Sequence, residues 1–162
     1  MVINAGAAAY RGVIPAECGH EPYMSEAALR AEIAAGVDFV GCELEGEISG
    51  VMGIQSVRNV DLIRHAYVLP AHQGKGLGSA LLRHLRARRV RPMLVGTWAA
   101  ASWAIAFYEK HGFEHVPREA KELLLKAYWT VPERQIEASV VLSDPALTRA
   151  EATGLAQRSL LI

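Results

Sequence analysis

The segment from Gln73 to Gly78, with the sequence QGKGLG, carries the clearest chemical signal in the chain. It lies between a predicted strand that ends at Leu69 and a predicted helix, so several backbone N–H groups are left at the positive end of a helix dipole. Its three glycines allow the backbone to approach phosphate oxygens closely, and Lys75 adds a positive charge. The segment predicts an anion-binding loop. A glycine-rich turn without a ligand is the alternative.

Two nucleotide-binding motifs can be compared with this loop. A Walker A loop requires GxxxxGK[ST], which the residues after Gly74 do not supply. A dinucleotide fingerprint requires a glycine where Ser79 stands and an acidic residue near the end of the next strand, where Thr97 and Trp98 occur. Both nucleotide interpretations are therefore weakened.

Hydropathy and turn residues predict the elements that position the loop. The predicted helices cover residues 5–11, 25–35, 78–89, 102–111 and 118–128, and the predicted strands cover 37–43, 48–57, 60–69, 93–98, 113–116 and 135–142. Short turns join the first three strands into an antiparallel meander, and the strand, helix and strand that follow predict a right-handed crossover with a parallel pair. The predicted fold class is α/β (α+β mixed), with a central mixed sheet flanked by helices.

Length, charge and cysteines limit the class of protein. The 162 residues predict a single domain over residues 1–144 and a tail over 145–162 that forms a helix after Pro145. The 17 basic and 17 acidic residues balance, which argues against nucleic acid or an anionic membrane as a partner. Cys18 and Cys42 lack metal-ligand spacing, so we expect two reduced thiols and no metal. Without a signal peptide or a long apolar run, a cytoplasmic protein is expected.

Two stretches resemble motifs of the GNAT superfamily of N-acetyltransferases. Tyr67 to Ser79 resembles motif A, in which a strand and V-x-P precede [RQ]-x-x-G-x-[GA] at a helix start, and Gln73, Gly76 and Gly78 occupy the pattern positions. Ala104 to Phe113 resembles motif B, with the form A-x-x-F-Y-x-x-x-G-F. The motifs follow each other in the family's order, separated by one helix and one strand.

The resemblance spans roughly residues 25–142. It implies an acyl-CoA-dependent N-acetyltransferase that transfers acetyl from acetyl-CoA, its cosubstrate, to a primary amine by direct attack in a ternary complex. It also divides the acyltransferase domain into a helical acceptor-side region (1–36), a cofactor-binding core (37–116) and a final helix and strand (117–144). A catalytically idle acyl-CoA-binding module of the same fold is the alternative.

The family's mode of cofactor binding can be carried onto matching positions. In such enzymes the strand before the glycine loop bulges and splays from its parallel neighbour, and its main chain holds the pantetheine arm while the loop amides hold the pyrophosphate. The motif B position that commonly carries Asn is Ala101 here, so Ser102 beside it is the candidate replacement. The residues that the resemblance assigns to the cofactor are Tyr67, Val68, Leu69, Gln73, Gly74, Lys75, Gly76, Leu77, Gly78, Ser79, Ser102 and Tyr108.

Tyr108 matches the motif B tyrosine, which in the family protonates the departing thiolate. A thiol leaving group has a pKa of about 8.5 and needs little help, so a phenol with a pKa of about 10 is an adequate acid. The alternative is that Tyr108 only packs against the sheet.

The attacking amine must lose a proton, and His65 is the predicted base because its unperturbed pKa is about 6.5. With period two it would share a strand face with Asp61, Ile63 and Tyr67. Asp61, Glu43, Glu45 or a base acting through water could serve instead, an already neutral amine would need none, and His65 could simply be packed in the sheet.

The acceptor side of such enzymes is built by the first two helices, their loop and the segment between the last two strands. The corresponding residues here are Tyr10, His20, Glu21, Tyr23, Met24, Tyr128 and Trp129. This mixed aromatic and acidic lining would suit a small cationic amine, and the expected acceptor is a small-molecule or peptide amine. Family members also begin with a strand, for which Met1 to Ala5 leave almost no room. Either that strand is missing, or the chain is shortened, or a second subunit covers the edge in a homodimer.

Overall fold

The structure is a computed structural model that describes residues 2–15, 18 and 21–158. The chain divides into two units, one made of residues 1–56 and 63–90 and the other of residues 57–62 and 91–162. Both units therefore contain part of the strand over residues 60–68.

The first unit opens with helices. Its elements are α1 (Val2–Ala7), a 3-10 helix (Ala8–Tyr10), α2 (Glu26–Ala34), β1 (Val37–Leu44), nearly all of β2 (Glu47–Val57), the later part of β3 (Val60–Val68), a second 3-10 helix (Pro70–His72) and α3 (Leu77–Arg86). Ser25 caps α2, since its hydroxyl accepts a hydrogen bond from Ala28 N at 3.1 Å. β1 and β2 pair in antiparallel fashion around a turn at Glu45 and Gly46, whose φ angles of 55° and 83° are typical of a type I′ turn.

The second unit begins at Val57, the last residue of β2, and includes the first three residues of β3. Its other elements are β4 (Met93–Trp98), α4 (Ser102–Lys110), β5 (Glu114–His115), α5 (Arg118–Tyr128), α6 (Glu133–Glu137), β6 (Ser139–Asp144) and α7 (Arg149–Arg158). β6 pairs in antiparallel fashion with β4 from Met93↔Asp144 to Trp98↔Ser139, and with the short β5 on its other side. The first residues of β3 and the strands β4 and β6 pack against α5, α6 and α7, burying Leu62, Leu94, Leu124 and Val141.

The six strands form one sheet in the order β1-β2-β3-β4-β6-β5. β3 and β4 are neighbours connected through α3, as expected for the parallel pair of a crossover connection. The predicted mixed fold class is therefore confirmed. Among residues 2–15, 18 and 21–36, the structure has no strand.

The predicted strand over residues 135–142 is wrong in its first half, which forms α6 instead. Pro132 precedes α6, where its carbonyl accepts the first hydrogen bond from Gln135 N at 2.9 Å. At the other end, Lys121 Nζ lies 2.9, 3.1 and 2.6 Å from the carbonyl oxygens of Ile136, Glu137 and Ser139. A cation placed there satisfies carbonyl groups that the end of a helix leaves unpaired. The strand starts only after this junction, at Ser139.

Lys121→Met should therefore destabilise the fold by about 2 kcal/mol, because the α6–β6 junction would lose a charged donor shared by three carbonyl groups. Urea denaturation measures the change. Lys126→Met is the matched control on the same helix, since Lys126 makes an exposed ion pair with Glu133 that should contribute less than about 0.5 kcal/mol. Equal midpoints for the two variants would contradict this role of Lys121.

Candidate functional site

The loop between β3 and α3 is anchored where it leaves the strand. Leu69 N donates to Ser49 O at 2.9 Å, and His72 N donates to Leu69 O at 2.8 Å. The His72 ring adds a second contact to Ser49, with Nδ1 2.8 Å from the hydroxyl of this fully buried serine. The start of the loop is therefore fixed to β2 through both the backbone and the side chain of one residue.

Gly74 and Gly76 adopt the left-handed conformation, with φ angles of +76° and +82°. A Cβ atom added at either position would meet nothing within 4 Å, so open space adjoins the backbone there. Gly76 is the N-cap residue of α3, whose first hydrogen bond runs from Ala80 N to Gly76 O at 3.0 Å, and as a glycine it has no side chain with which to cap the helix. The amides at the start of α3 precede any acceptor within the helix, which leaves a suitable place for an anion.

The structure shows which groups of the loop are exposed and which are already hydrogen-bonded. Lys75 and Gln73 are exposed, and Gln73 Nε2 lies 3.4 Å from Val68 O, a long contact. Because the N–H of Leu69 is already bonded to Ser49, a cofactor bond at Leu69 would fall on its carbonyl oxygen, which has a second lone pair.

His65 interrupts β3 with a left-handed φ of 50°. In a regular strand, consecutive side chains point to opposite faces. Here the side chains of Arg64 and His65 both reach the carboxylate of Glu32 on α2. The predicted period-two alternation through His65 is therefore wrong, because the backbone turns at this residue.

Glu32 is held by Arg64 at the end of α2. Arg64 Nη2 lies 3.3 and 3.0 Å from the two carboxylate oxygens, and Nη1 donates to Gln55 Oε1 at 2.7 Å. Gln55 in turn donates to the carbonyl oxygen of Ala35, the residue after α2, at 2.9 Å. This network joins α2 to β2 and β3.

The environment of His65 favours its neutral form. Its side chain is 10% exposed, and Nε2 lies 3.3 Å from Glu32 Oε2 without the alignment of a hydrogen bond. Burial lowers the pKa of His65 from its usual value, and the positive charge of Arg64 adds a smaller decrease. The carboxylate of Glu32 acts in the opposite direction. A neutral imidazole near pH 7 can accept a proton.

Aromatic rings surround His65 and Tyr67. Phe39 stacks on the His65 ring at 5.8 Å, and Tyr23 lies edge-on to both His65 and Tyr67, at 6.5 and 5.7 Å. Tyr10 lies edge-on to Tyr67 at 6.3 Å. The first unit thus brings together Tyr10 and Tyr23, predicted for the acceptor, with two residues predicted for catalysis and cofactor binding.

The other predicted acceptor residues of the first unit are not among these aromatic contacts. Met24 is buried, and its backbone is held by the Asn4 amide at 2.7 and 2.9 Å. Glu21 pairs with Arg11 at 2.9 Å on the surface. His20 lies outside the described residues.

In the second unit, Tyr108 on α4 is 4% exposed and lies edge-on to Phe107 at 5.1 Å and to Phe113 at 5.4 Å. Ser102 is the exposed first residue of α4, and Ala101 before it is fully buried. The helix that carries both motif B candidates is therefore fixed by buried residues.

Two further predicted residues pack within the second unit. Tyr128 lies in its core, with the hydroxyl 2.6 Å from Asn59 Oδ1 and 3.0 Å from Leu155 O, and Trp129 packs against the same core. Tyr128 therefore has a structural place in this unit rather than a place on an acceptor wall. Asp61, an alternative base, is 1% exposed, and its N–H donates to Pro92 O at 2.9 Å.

The remaining alternative bases, Glu43 and Glu45, are exposed on β1 and in the following turn.

Glu32 and Arg64 were not among the predicted site residues, although they lie beside the predicted base. Neither belongs to a motif, and only the packing of α2 against β1, with β2 and β3 alongside, brings them to His65.

Across the described part of the chain, no group of three or more His, Cys, Asp or Glu residues could hold a metal ion. None of its helices is both long enough and apolar enough to cross a membrane.

A protein-family model described as an acetyltransferase (GNAT) domain matches residues 35–115, which is half of the chain. Among proteins with curated descriptions, none matches the chain in sequence.

Solved structures with a similar fold include the PaiA N-acetyltransferase from Thermoplasma acidophilum in complex with coenzyme A (TM-score 0.61, 15% identity, 88% of this chain and 86% of that chain). A GNAT family acetyltransferase from Elizabethkingia anophelis with acetyl-CoA bound gives a TM-score of 0.54 at 16% identity, over 80% of this chain and 93% of that one. The ribosomal-protein-S18-alanine N-acetyltransferase from Escherichia coli gives 0.57 at 22% identity, over 84% of each chain.

Proposed function

Because the chain belongs to the GNAT family of acetyltransferases, we propose that it transfers the acetyl group of acetyl-CoA to a primary amine by direct attack in a ternary complex. GNAT acetyltransferases are acyltransferases, and the predicted resemblance to them is confirmed by the family match. The observation that carries the proposal is the loop of residues 73–79 inside the matched region, where two left-handed glycines adjoin open space before a helix whose N-cap residue has no side chain.

The loop supports binding of the cofactor's pyrophosphate through the backbone. Left-handed Gly74 and Gly76 avoid the steric cost that a side chain would impose, and the start of α3 offers amides and a positive dipole end. Lys75 is exposed and adds a charge beside this position. In the same proposal, the main chain of Tyr67 and Val68 holds the pantetheine arm.

The chemistry requires two proton transfers. The amine nitrogen attacks the thioester carbon and gives up a proton, for which His65 is the proposed acceptor because its neutral form is favoured. The carbon–sulfur bond then breaks, and Tyr108 is the proposed donor of a proton to the thiolate. The role of Tyr108 is supported by its motif position and that of His65 by its environment, and each role can be tested separately.

A catalytically idle acyl-CoA-binding module is the second candidate. Ala101 stands where motif B commonly has Asn, and Tyr108 is almost fully buried, two features that favour binding without turnover.

Incubation with acetyl-CoA and a panel of amines, followed by detection of the free thiol, tests the proposed function. The panel should contain small primary amines and peptide amines, since one structural neighbour is named for a ribosomal-protein alanine. Acetyl-amine formation with stoichiometric thiol release is expected for at least one member. Tight acetyl-CoA binding without release on any amine would favour the idle module.

Gly76→Ala should weaken acetyl-CoA binding by at least about tenfold, because a side chain at φ +82° strains the loop and occupies the space beside the phosphates. Isothermal titration calorimetry measures the affinity. Gly46→Ala is the matched control, since Gly46 has a φ of +83° and equally open space but lies in the turn after β1. Both variants should lose about 1 kcal/mol of stability. Unchanged affinity in Gly76→Ala would count against the loop as the phosphate site.

Tyr108→Phe should lower kcat by about tenfold to a hundredfold while the affinity for acetyl-CoA is kept, because only the hydroxyl group that donates the proton is removed. Tyr128→Phe provides the comparison in the same unit, since its hydroxyl contacts Asn59 and the Leu155 carbonyl, and it should change thermal stability rather than kcat. An unchanged kcat in Tyr108→Phe would assign the thiolate's proton to another donor.

A further inference from the structure

We propose that Glu32 is a positioning residue of this reaction, whose carboxylate holds the His65 ring in the tautomer with hydrogen on Nε2, so that Nδ1 accepts the proton of the amine. This inference rests on the proposed function for its chemical consequence. The tautomer itself is a property of the protein without substrate.

The contact between the ring and the carboxylate selects the tautomer. Nε2 of His65 is buried, has no aligned hydrogen-bond partner among the described residues, and lies 3.3 Å from Glu32 Oε2. A bare nitrogen lone pair at that distance would face a negatively charged oxygen, which is repulsive. An N–H group in the same place is attracted to the oxygen, so the hydrogen belongs on Nε2.

Arg64 keeps the carboxylate in place. Both oxygens of Glu32 lie within 3.3 Å of Arg64 Nη2, and the guanidinium is itself held by Gln55. The Glu32 and Arg64 side chains are 27% and 22% exposed, so the pair is less screened by solvent than a surface pair. The carboxylate therefore cannot turn away from the ring without losing Arg64.

The ring is fixed in its plane by aromatic contacts. Phe39 stacks on it with an interplanar angle of 24°, and Tyr23 meets it at 67°. Within the described part of the chain, Nδ1 has no hydrogen-bond partner. This nitrogen carries a lone pair in the proposed tautomer and is the atom left to bind a donor.

The proton balance follows from this arrangement. As the amine nitrogen bonds to the thioester carbon, its proton passes to Nδ1 and the ring becomes an imidazolium with hydrogen on both nitrogens. The charge then faces the Glu32 carboxylate through the existing Nε2–H group. The carbon–sulfur bond breaks with its electron pair on sulfur, which takes a proton from Tyr108 in the proposed function.

The groups that set the charge around His65 come from several elements. Glu32 of α2 favours the imidazolium, whereas burial and Arg64 of its own strand disfavour it. The phenol of Tyr23 lies at the ring edge, and β1 contributes Phe39, which does not titrate. Removal of the Glu32 charge should therefore shift the titration of His65 to lower pH.

NMR of the full chain labelled with 15N-histidine tests the tautomer directly. In the wild type at pH 7.5, the His65 ring should show protonated Nε2 and unprotonated Nδ1. In Glu32→Gln, the titration midpoint of the ring should move to lower pH. The kcat for the amine found in the panel should fall by about tenfold, with the KM for acetyl-CoA unchanged.

Glu26→Gln is the matched control, because Glu26 lies on the same helix in an exposed pair with Arg30 and should change neither the ring nor kcat. Glu32→Asp, which keeps the carboxylate, should retain part of the kcat. A wild-type ring protonated on Nδ1, or a Glu32→Gln ring with an unchanged midpoint, would overturn the proposal. A ring protonated on Nε2 in a chain that acetylates no amine would uphold the position of Glu32 and reject the proposed function instead.

Discussion

The left-handed backbone at His65 is the constraint on which the candidate site depends. A non-glycine residue in this conformation costs about 1–2 kcal/mol, so contacts around it must offset that cost. The ion pair between Arg64 and Glu32 and the stacking of Phe39 on the ring are such contacts. In return, two consecutive side chains reach one carboxylate, which no regular strand permits. The bend also divides β3 into a fully buried beginning and a half-buried end.

In the proposed function, cofactor recognition depends on backbone geometry more than on side chains. Ser49 fixes the exit of β3 through its carbonyl and its hydroxyl, and the two left-handed glycines then shape the loop before α3. Gln73 and Lys75 are exposed and make few internal contacts. Glycine spacing is therefore the part of this loop that phosphate binding would restrict most tightly, whereas exposed side chains can vary with little effect on the fold.

The features that could be predicted from the sequence are those set by local sequence rules. The loop, the meander and most helices follow local rules, such as the cap at Ser25, and they were predicted closely. The family resemblance depended on fixed spacing and was confirmed. Residues 135–138 were misassigned because Ile136, Ala138 and Val140 alternate as in a strand, while Pro132 and Lys121 stabilise a helix before the strand starts at Ser139.

The part of the site that could not be predicted depends on tertiary contacts. Glu32 occupies the last turn of α2, and its position is set by the Ser25 cap at the start of the helix and by the bond from Gln55 to the Ala35 carbonyl at its end. The residues that fix the two ends of α2 do not indicate in the sequence that this helix lies beside His65. Since the helix is held at both ends, the distance from its carboxylate to the ring follows from backbone placement, and burial and charge then act on the pKa of His65 in opposite directions. If His65 is the base, as proposed, it needs a rigid partner, because a small movement of α2 would change the contact that sets both the tautomer and the charge of the ring.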